Sequence, residues 1–214
     1  MWWRSVGHTH TAYALETLID MVAGATNQNP YDLRIGLLAG EGKNQKRLTA
    51  VLKLAAEKAG WGEARTGTFQ GMAVHKSFGT YVAEVVDISL HDGAVKVGKV
   101  TCAVDCGVAV NPDVIRAQME RGIGYGLGAI MRNRITLTNG EVDQTNFPDY
   151  EPIPISDMPM VEVHIVDSSE PPSGVGEPAV PVVGPALANA IFAASGKRKP
   201  ITQLPMTENG FVFS

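Results

Sequence analysis

The chain has 214 residues, of which 44% are hydrophobic and 19% are charged, and its formal net charge is −4. This composition is typical of a globular protein that can bury one sizeable core, and the mildly acidic balance without a basic block argues against nucleic acid and an anionic membrane as partners. The sequence contains neither an export signal nor a run of eighteen apolar residues, so we predict no membrane span, and the compartment, periplasm or cytoplasm, stays open.

Hydrophobic periodicity predicts an α+β fold, with helices packed against a mixed or antiparallel sheet. The first helix is predicted over residues 11–22, where Ala14, Leu15, Leu18, Ile19 and Val22 repeat as the apolar stripe of an amphipathic helix. Further helices are predicted over residues 30–38, 45–59, 112–130 and 186–194. Strands are predicted over residues 82–90, 95–104, 161–166 and 201–204.

Turn residues define the connections between these elements. Asp92-Gly93 lies between two alternating apolar runs and predicts a long antiparallel hairpin, because this dipeptide suits paired positive-φ positions. Asn139-Gly140 predicts a second hairpin turn. Asn111, followed by a proline, is a typical N-cap for the helix after it.

The sequence contains two cysteines, Cys102 and Cys106. Their spacing predicts that both lie on one face of one strand, about 13 Å apart by the rise per residue, which is too far for a disulfide. Two thiolates are also too few for an iron–sulfur cluster, so any such centre must belong to another polypeptide. We interpret both cysteines as small buried hydrophobic residues.

Two patterns that could indicate cofactors are better explained by structure. His8 and His10 could bind a metal from one strand, but no further ligand accompanies them at a recognised spacing, so no metal site is predicted. Residues 122–128 contain four alternating glycines, but these lie inside a predicted helix, whereas a dinucleotide-binding loop follows a strand. We therefore interpret the glycines as a smooth helix face used for packing.

Residues 174–178, GVGEP, give the clearest indication of chemistry. Gly174 and Gly176 allow close approach of a ligand or positive φ, and Pro178 stiffens the exit from the loop. The partial positive charge at the start of the helix that follows favours an ionised Glu177. Glu177 is therefore a candidate general base. Most glycine-rich loops are only turns, so from spacing alone both interpretations stay open.

Several motifs occur in the order found in one enzyme family. They are residues 3–10 (WRSVGHTH), 29–34 (NPYDLR), 73–79 (AVHKSFG), 100–112 (VTCAVDCGVAVNP), 146–150 (NFPDY), 174–178 (GVGEP) and 186–198 (ALANAIFAASGKR). Through them the chain resembles the molybdopterin-binding large subunit of the xanthine oxidase and aldehyde oxidoreductase family, the molybdenum hydroxylases. It is most similar to the isoquinoline 1-oxidoreductase beta-subunit branch. The resemblance covers nearly the whole chain and implies the fold of the family's second molybdopterin-binding domain.

The resemblance also implies roles for individual residues. In the family the glutamate of the Gly-Glu-Pro loop is the active-site base, which implies that role for Glu177. Contacts to the cofactor are implied for Gly174, Val175, Gly176, Gln118 and Arg4. Gln118 would hydrogen-bond the pterin, and Arg4 matches a segment that lines the molybdenum pocket. Without the resemblance, Arg4 is an exposed cation at a frayed terminus.

The implied reaction is hydroxylation of an aldehyde or an N-heterocycle with water as the oxygen source. The implied cofactor is molybdopterin, with the cytosine dinucleotide form as an option. The implied partners are the N-terminal remainder of the large subunit, an iron–sulfur small subunit and a small-molecule substrate. Because the family's large subunits are several times longer, we expect residues 1–214 to be a C-terminal fragment or split subunit, inactive and without cofactor when isolated.

Two alternatives to this reaction stay open. The chain could be a non-catalytic interface domain that completes a larger assembly. An acid–base hydrolase that uses Glu177 ranks last, because no nucleophile motif or metal-binding motif accompanies it. If the rest of a large subunit covers this chain, residues 122–128 and 174–183 should form an exposed apolar or glycine-lined surface.

Overall fold

The computed structural model describes residues 3–63, 65–195 and 206–213. These residues form five α-helices and seven β-strands. In chain order the elements are α1 (His8–Thr26), α2 (Pro30–Leu37), α3 (Lys43–Ala59), β1 (Thr68–Ser77), β2 (Thr80–His91), β3 (Ala94–Asp105), α4 (Pro112–Met131), β4 (Leu137–Thr138), β5 (Glu141–Val142), β6 (Met160–Ile165), α5 (Val180–Ser195) and β7 (Val212–Phe213). The strand predicted over residues 201–204 lies outside the described residues.

A mixed five-stranded sheet forms the centre of the fold. Its order is β1-β2-β3-β6, with β1, β2 and β3 antiparallel, and both β6 and β7 run parallel to β3. Helices α4 and α5 pack with one face of the sheet, and α3 packs with the other. The predicted α+β class with a mixed sheet is therefore confirmed. Among the described residues, none of the helices is both long and apolar enough to cross a membrane.

The predicted turns are present. Asp92 and Gly93 have φ values of 50° and 83° and close the hairpin between β2 and β3. Asn139 and Gly140, with φ of 53° and 87°, connect β4 to β5. The side chain of Asn111 caps α4 by accepting a hydrogen bond in the first turn.

Strand β1 is absent from the sequence-based prediction, which begins the sheet one strand too late. Gly71 lies in the middle of β1 and interrupts its apolar alternation. A Cβ atom at this position would lie 2.0 Å from the Ala190 nitrogen and 2.3 Å from the Ala186 oxygen. Glycine therefore lets the backbone of α5 pack directly on the strand, a tertiary requirement that no local pattern reveals.

Helix α5 begins at Val180, six residues before the predicted start at residue 186. Pro181 lies in the first turn, where its missing N–H group costs nothing. Pro185 lies inside the helix, where it removes one backbone hydrogen bond. The earlier start brings the positive end of the helix close to Glu177.

The buried face of α1 differs from the predicted one. Leu15, Leu18 and Val22 are 52%, 52% and 42% exposed, while Glu16 and Asp20 are 2% and 5% exposed. The helix therefore turns a partly charged face inward and an apolar face outward, the reverse of the usual amphipathic arrangement.

Arg34 of α2 explains this reversal. Its Nε donates to Glu16 Oε2 at 2.9 Å, and its Nη1 lies 2.6 Å from Asp20 Oδ1. Glu16 Oε2 also accepts the N–H of Val74 in β1 at 3.0 Å, and the side chain of Asn189 donates to the Glu16 carbonyl. Pairing with Arg34 offsets part of the desolvation of the two buried carboxylates, so the helix can be held by its polar face, although burial still raises the pKa of Asp20 to about 6.

Only part of the surface expected at residues 122–128 and 174–183 is exposed: Gly174 and Gly176 are exposed, whereas residues 178–183 and most of residues 122–128 are buried. Residues 179–183 are buried, as are Gly122 and Gly126 of α4. A Cβ on Gly122 would lie 2.9 Å from Ala179 Cβ, and one on Gly126 would lie 2.5 Å from a Val183 methyl. The α4 glycines serve close helix packing, as interpreted from the sequence, and this packing covers the part of the expected surface formed by α4 and the start of α5, while the glycines of residues 174–176 stay exposed.

The two cysteines are both free and buried. Cys102 lies in β3, whereas Cys106 lies one residue beyond its end at Asp105, so the two do not share a strand as predicted. Their interpretation as small buried residues is confirmed.

Candidate active site

Glu177 lies between an extended loop and the first turn of α5. Its carbonyl oxygen accepts the N–H of Val180 at 3.1 Å. Its side chain is half-buried. Glu177 is therefore partly exposed and lies just before the positive end of α5.

The loop before Glu177 is held by hydrogen bonds to residues at the ends of β2 and β3. The hydroxyl of Thr80, at the start of β2, donates to the Gly174 carbonyl at 2.7 Å. The N–H of Ser173 donates to the Cys106 carbonyl at 2.8 Å. Val175 packs half-buried against the main core. These contacts fix a segment without regular secondary structure to the ends of β2 and β3.

A turn formed by residues 3–7, here called the N-terminal turn, holds the other side of the loop. Arg4 donates from Nε to the Gly176 carbonyl at 2.9 Å and also from Nη2 to the same oxygen. The N–H of Ser5 donates to Glu177 Oε1 at 2.8 Å, and its hydroxyl donates to the Glu177 carbonyl at 2.7 Å. Sequence reasoning missed Ser5, whose partner is 172 residues away; its position beside Arg4 was the one available signal.

Arg4 is half-buried and bound, so its interpretation as a free cation at a frayed terminus is wrong. Its guanidinium lies over the ring of Tyr125, 5.5 Å from the ring centroid, and Trp3 packs against the same ring at 5.0 Å. Burial and the neighbouring charge of Arg121 lower the pKa of Arg4.

Gln118 of α4 is the other predicted cofactor contact, and the structure brings it to the same loop. A Cβ placed on Gly176 would have Gln118 Oε1 as its nearest neighbour, at 4.0 Å, and one placed on Gly174 would meet nothing within 4 Å. The protein itself therefore does not need glycine at either position, and the side of the loop without Cβ atoms is open to a ligand.

The donors along this loop match a ligand rich in acceptors. Within the described part of the chain, the backbone N–H groups of Gly174, Val175 and Gly176 donate to no other group. These three N–H groups directly precede Glu177 in the chain, and the side chain of Gln118, whose Oε1 is the atom nearest to a Cβ placed on Gly176, can add its Nε2 as a further donor. A phosphorylated pterin, which carries ring and phosphate acceptors, fits this donor set and this open space.

His8 has a structural partner. Its Nδ1 lies 3.0 Å from Nε2 of His75 in β1, and its ring packs edge-on against Phe78. Burial and the neighbouring His8 lower the pKa of His75 to about 4. No group of three or more His, Cys, Asp or Glu side chains that could hold a metal occurs among the described residues.

Two grooves border the N-terminal turn. An apolar groove of about 270 Å³ is lined by Trp3 and by the first turns of α5 at Val180 and Pro181. A larger groove of about 700 Å³ is lined by Arg4 and by Arg121 and Tyr125 of α4, among others. Both grooves have mostly apolar linings, and Glu177 is not among the residues that line either of them.

Comparison with known proteins identifies relatives along the whole chain. Residues 13–159 match the family model described as molybdopterin cofactor-binding domain. Isoquinoline 1-oxidoreductase subunit beta of Brevundimonas diminuta is 31% identical over 209 residues, which is 95% of this chain and 26% of that protein. A membrane-bound aldehyde dehydrogenase of Gluconacetobacter polyoxogenes is 33% identical over 216 residues, covering 92% of this chain and 28% of that protein. The chain spans about a quarter of the length of these relatives.

Solved structures agree on the fold. Aldehyde oxidoreductase from Desulfovibrio gigas matches 93% of this chain and 40% of its own, with a TM-score of 0.67 and 13% identity. Quinoline 2-oxidoreductase from Pseudomonas putida 86 matches 59% of this chain and 17% of its own, with a TM-score of 0.54 and 20% identity. The name of the Gluconacetobacter relative mentions a different cofactor, pyrroloquinoline quinone. The assignment of molybdopterin as the cofactor therefore rests on the family model and not on the names of the relatives.

Proposed function

The chain belongs to the molybdopterin-binding domains of the molybdenum hydroxylase family. We propose that Glu177 is the general base of a hydroxylation at a molybdenum centre. The observation that carries the proposal is the carboxylate of the half-buried Glu177, fixed by the Ser5 N–H beside a loop that is open to a ligand. A base held within reach of the reacting proton contributes about 10²–10⁴ in rate.

Protein contacts support the proposed role of Glu177. Oε1 is occupied by the Ser5 N–H, and among the described residues no group donates to Oε2. One carboxylate oxygen is therefore oriented and the other is free to accept a proton.

The cofactor would lie against Gly174, Val175 and Gly176, with Gln118 donating from the opposite side. When bound, molybdopterin supplies the metal centre at which the substrate is oxidised with oxygen derived from water. The chain's own contribution is to bind the pterin through backbone and amide donors, to orient Glu177, and to receive a proton at Oε2. Arg4 contributes by fixing the Gly176 carbonyl and with it the position of the loop.

We propose an aldehyde or an N-heterocycle as substrate. The support is that the named relatives oxidise such compounds: the Brevundimonas protein is an isoquinoline 1-oxidoreductase subunit and the Gluconacetobacter protein is an aldehyde dehydrogenase. The apolar groove at Trp3 and Val180 is compatible with a flat or aliphatic molecule.

We further propose that this chain works with the remainder of a large subunit and with an iron–sulfur subunit, and that it is inactive alone. Its length relative to its relatives supports this, as does the outward apolar face of α1. That face also supports the second candidate function, a non-catalytic domain that completes an interface. Removing Glu177 separates the two, because an interface domain does not need the carboxylate.

The test is co-expression of this chain with the polypeptide that completes a large subunit and with an iron–sulfur subunit. Molybdenum per protein is measured by elemental analysis, and turnover is measured with an aldehyde and an N-heterocycle. Glu177→Gln keeps the shape and should keep the molybdenum content, but should lower turnover by about two to four orders of magnitude. Unchanged turnover in a molybdenum-loaded Glu177→Gln enzyme would leave only the interface function.

A further inference from the structure

We propose that Ser5 is the positioning residue of the Glu177 carboxylate, and that it selects Oε2 as the oxygen that accepts the proton. The inference rests on the proposed role of Glu177 and adds to it the residue that orients the base. Ser5 touches neither cofactor nor substrate in this role; it acts through Glu177.

Ser5 binds both the side chain and the main chain of Glu177. Its N–H donates to Oε1 of the side chain at 2.8 Å, and its hydroxyl donates to the main-chain oxygen at 2.7 Å. Ser5 is completely buried, so water does not compete for either hydrogen bond. A residue held at its carbonyl and at one carboxylate oxygen has little freedom left in the torsions between them.

The backbone of Ser5 is in an unusual conformation. Ser5 has φ of 74° and Val6 has φ of 50°, two consecutive non-glycine residues in the left-handed region. Each costs of the order of 1–2 kcal/mol, and such conformations persist where the surroundings determine them. In this conformation the Ser5 N–H donates to the Glu177 carboxylate, while the next amide, that of Val6, donates to the Trp3 carbonyl at 2.8 Å.

Both sides of the N-terminal turn are anchored. Before Ser5, Arg4 is bound to the Gly176 carbonyl. After it, His8 contacts His75 of β1 at 3.0 Å. Ser5 therefore cannot move without breaking contacts to the loop or to the sheet, which is the rigidity that a positioning residue requires.

The two carboxylate oxygens of Glu177 therefore have different roles. Oε1 is occupied by the buried Ser5 N–H, and no described residue donates to Oε2. A proton acceptor must be within about 3.2 Å of the proton donor's heavy atom, and a displacement of about 1 Å can cost 10²-fold in rate. Ser5 fixes the free oxygen in one place and so sets this distance.

The first test needs only this chain. Amide hydrogen exchange is followed by NMR in the native protein, in Glu177→Ala and in the control Thr11→Ala, whose hydroxyl donates to the Gly7 carbonyl at 2.9 Å on the same segment. Glu177→Ala should speed exchange of the Ser5 amide by about tenfold, the effect of losing one hydrogen bond, and should leave the Leu33 amide in α2 unchanged. Thr11→Ala should change neither. If the Ser5 amide exchanges equally fast with and without Glu177, the inference is wrong.

The second test uses the assembled, molybdenum-loaded enzyme. Ser5→Ala removes the hydroxyl that holds the Glu177 main chain and should lower kcat by about tenfold with little change in KM, whereas Thr11→Ala should change neither. Because Ser5 acts only through Glu177, Ser5→Ala should have no further effect in a Glu177→Gln background. A full additional loss in the double variant would overturn the positioning role. Turnover that survives Glu177→Gln would instead overturn the proposed function itself.

Discussion

Two regions of the molecule bind a glutamate carboxylate in opposite ways. At the junction of α1 and α2, Glu16 is 2% exposed, and its Oε2 accepts from both Arg34 and Val74. At the start of α5, Glu177 is half-buried, and its Oε1 accepts from the Ser5 N–H. A carboxylate that is buried and paired with a cation fixes two helices and a strand to one another, while one that is oriented but left partly open can react.

The difference extends to the cations nearby. Arg34 is 1% exposed and contacts both carboxylates of α1. Arg4 is half-buried and donates to a carbonyl group, so it shapes the loop and leaves the Glu177 carboxylate to the Ser5 N–H. Arg34 pairs directly with carboxylates in a buried site, whereas Arg4 binds a main-chain carbonyl and forms no ion pair with Glu177 among the described contacts.

The largest expected effect comes from replacing the two arginines. Arg34→Ala leaves two buried carboxylates without a cation and should lower the free energy of unfolding by about 3–5 kcal/mol. Arg4→Ala, the matched change in the other region, should cost about 1 kcal/mol, because it removes hydrogen bonds from a partly solvated carbonyl. Urea denaturation of both variants measures the difference. Equal losses in the free energy of unfolding for the two variants would contradict the conclusion that burial makes Arg34 more important for stability than Arg4.

Glu84 sharpens the comparison because it is buried without a cation. It is fully buried in β2, and apart from the weakly donating thiol of Cys102 its carboxyl oxygens have no partner among the described residues. Burial raises the pKa of Glu84 well above its usual value of 4.5. The unfolded chain therefore loses this proton at lower pH than the folded chain does, and folding stability should fall as pH rises above about 4.5.

Glu84→Gln should remove this dependence. The native protein should lose up to about 1.4 kcal/mol per pH unit through this one group, while the variant should be flatter and at least as stable at pH 7. Burial also raises the pKa of Asp20 to about 6, with the same sign, so unfolding is best compared between pH 6.5 and 9, above the titration of Asp20. Parallel curves for the two proteins in that range would show that Glu84 does not titrate as described.

The sequence predicted the elements whose signals are local. The hairpin at Asp92-Gly93 and the cap at Asn111 depend on residues next to each other, and both were predicted correctly. The inward face of α1 could not be predicted, because Glu16 and Asp20 look like solvent-facing residues until Arg34 is placed beside them. The role of Ser5 could not be predicted either, because its contact partner Glu177 lies 172 residues away in the sequence.

A smaller effect is expected at Val6, which is 39% exposed with φ of 50° in the N-terminal turn. Val6→Gly removes the side chain from a residue whose backbone is in the left-handed region. It should raise the free energy of unfolding by about 0.5–1 kcal/mol, after allowance for the greater chain entropy of glycine. Val22→Gly is the matched control, since Val22 is 42% exposed but helical; it should lower stability by about 0.5 kcal/mol. Thermal unfolding that shows a loss at both positions would argue against strain in the turn.

The smallest effect is expected on the outer face of α1, where Leu18 is 52% exposed. Leu18→Ala should change the stability of the isolated chain by less than about 0.5 kcal/mol, because little apolar area is buried there and alanine keeps the helix propensity. Leu52→Ala in α3, where the leucine is 0% exposed, should cost about 2–5 kcal/mol for the same change.

Urea denaturation at two protein concentrations completes the test. A cost at Leu18 that grows with concentration would mean that a second copy of the chain covers this face, whereas a large cost that is independent of concentration would mean that the chain itself buries it. A negligible cost at both concentrations leaves the face free for the rest of a large subunit.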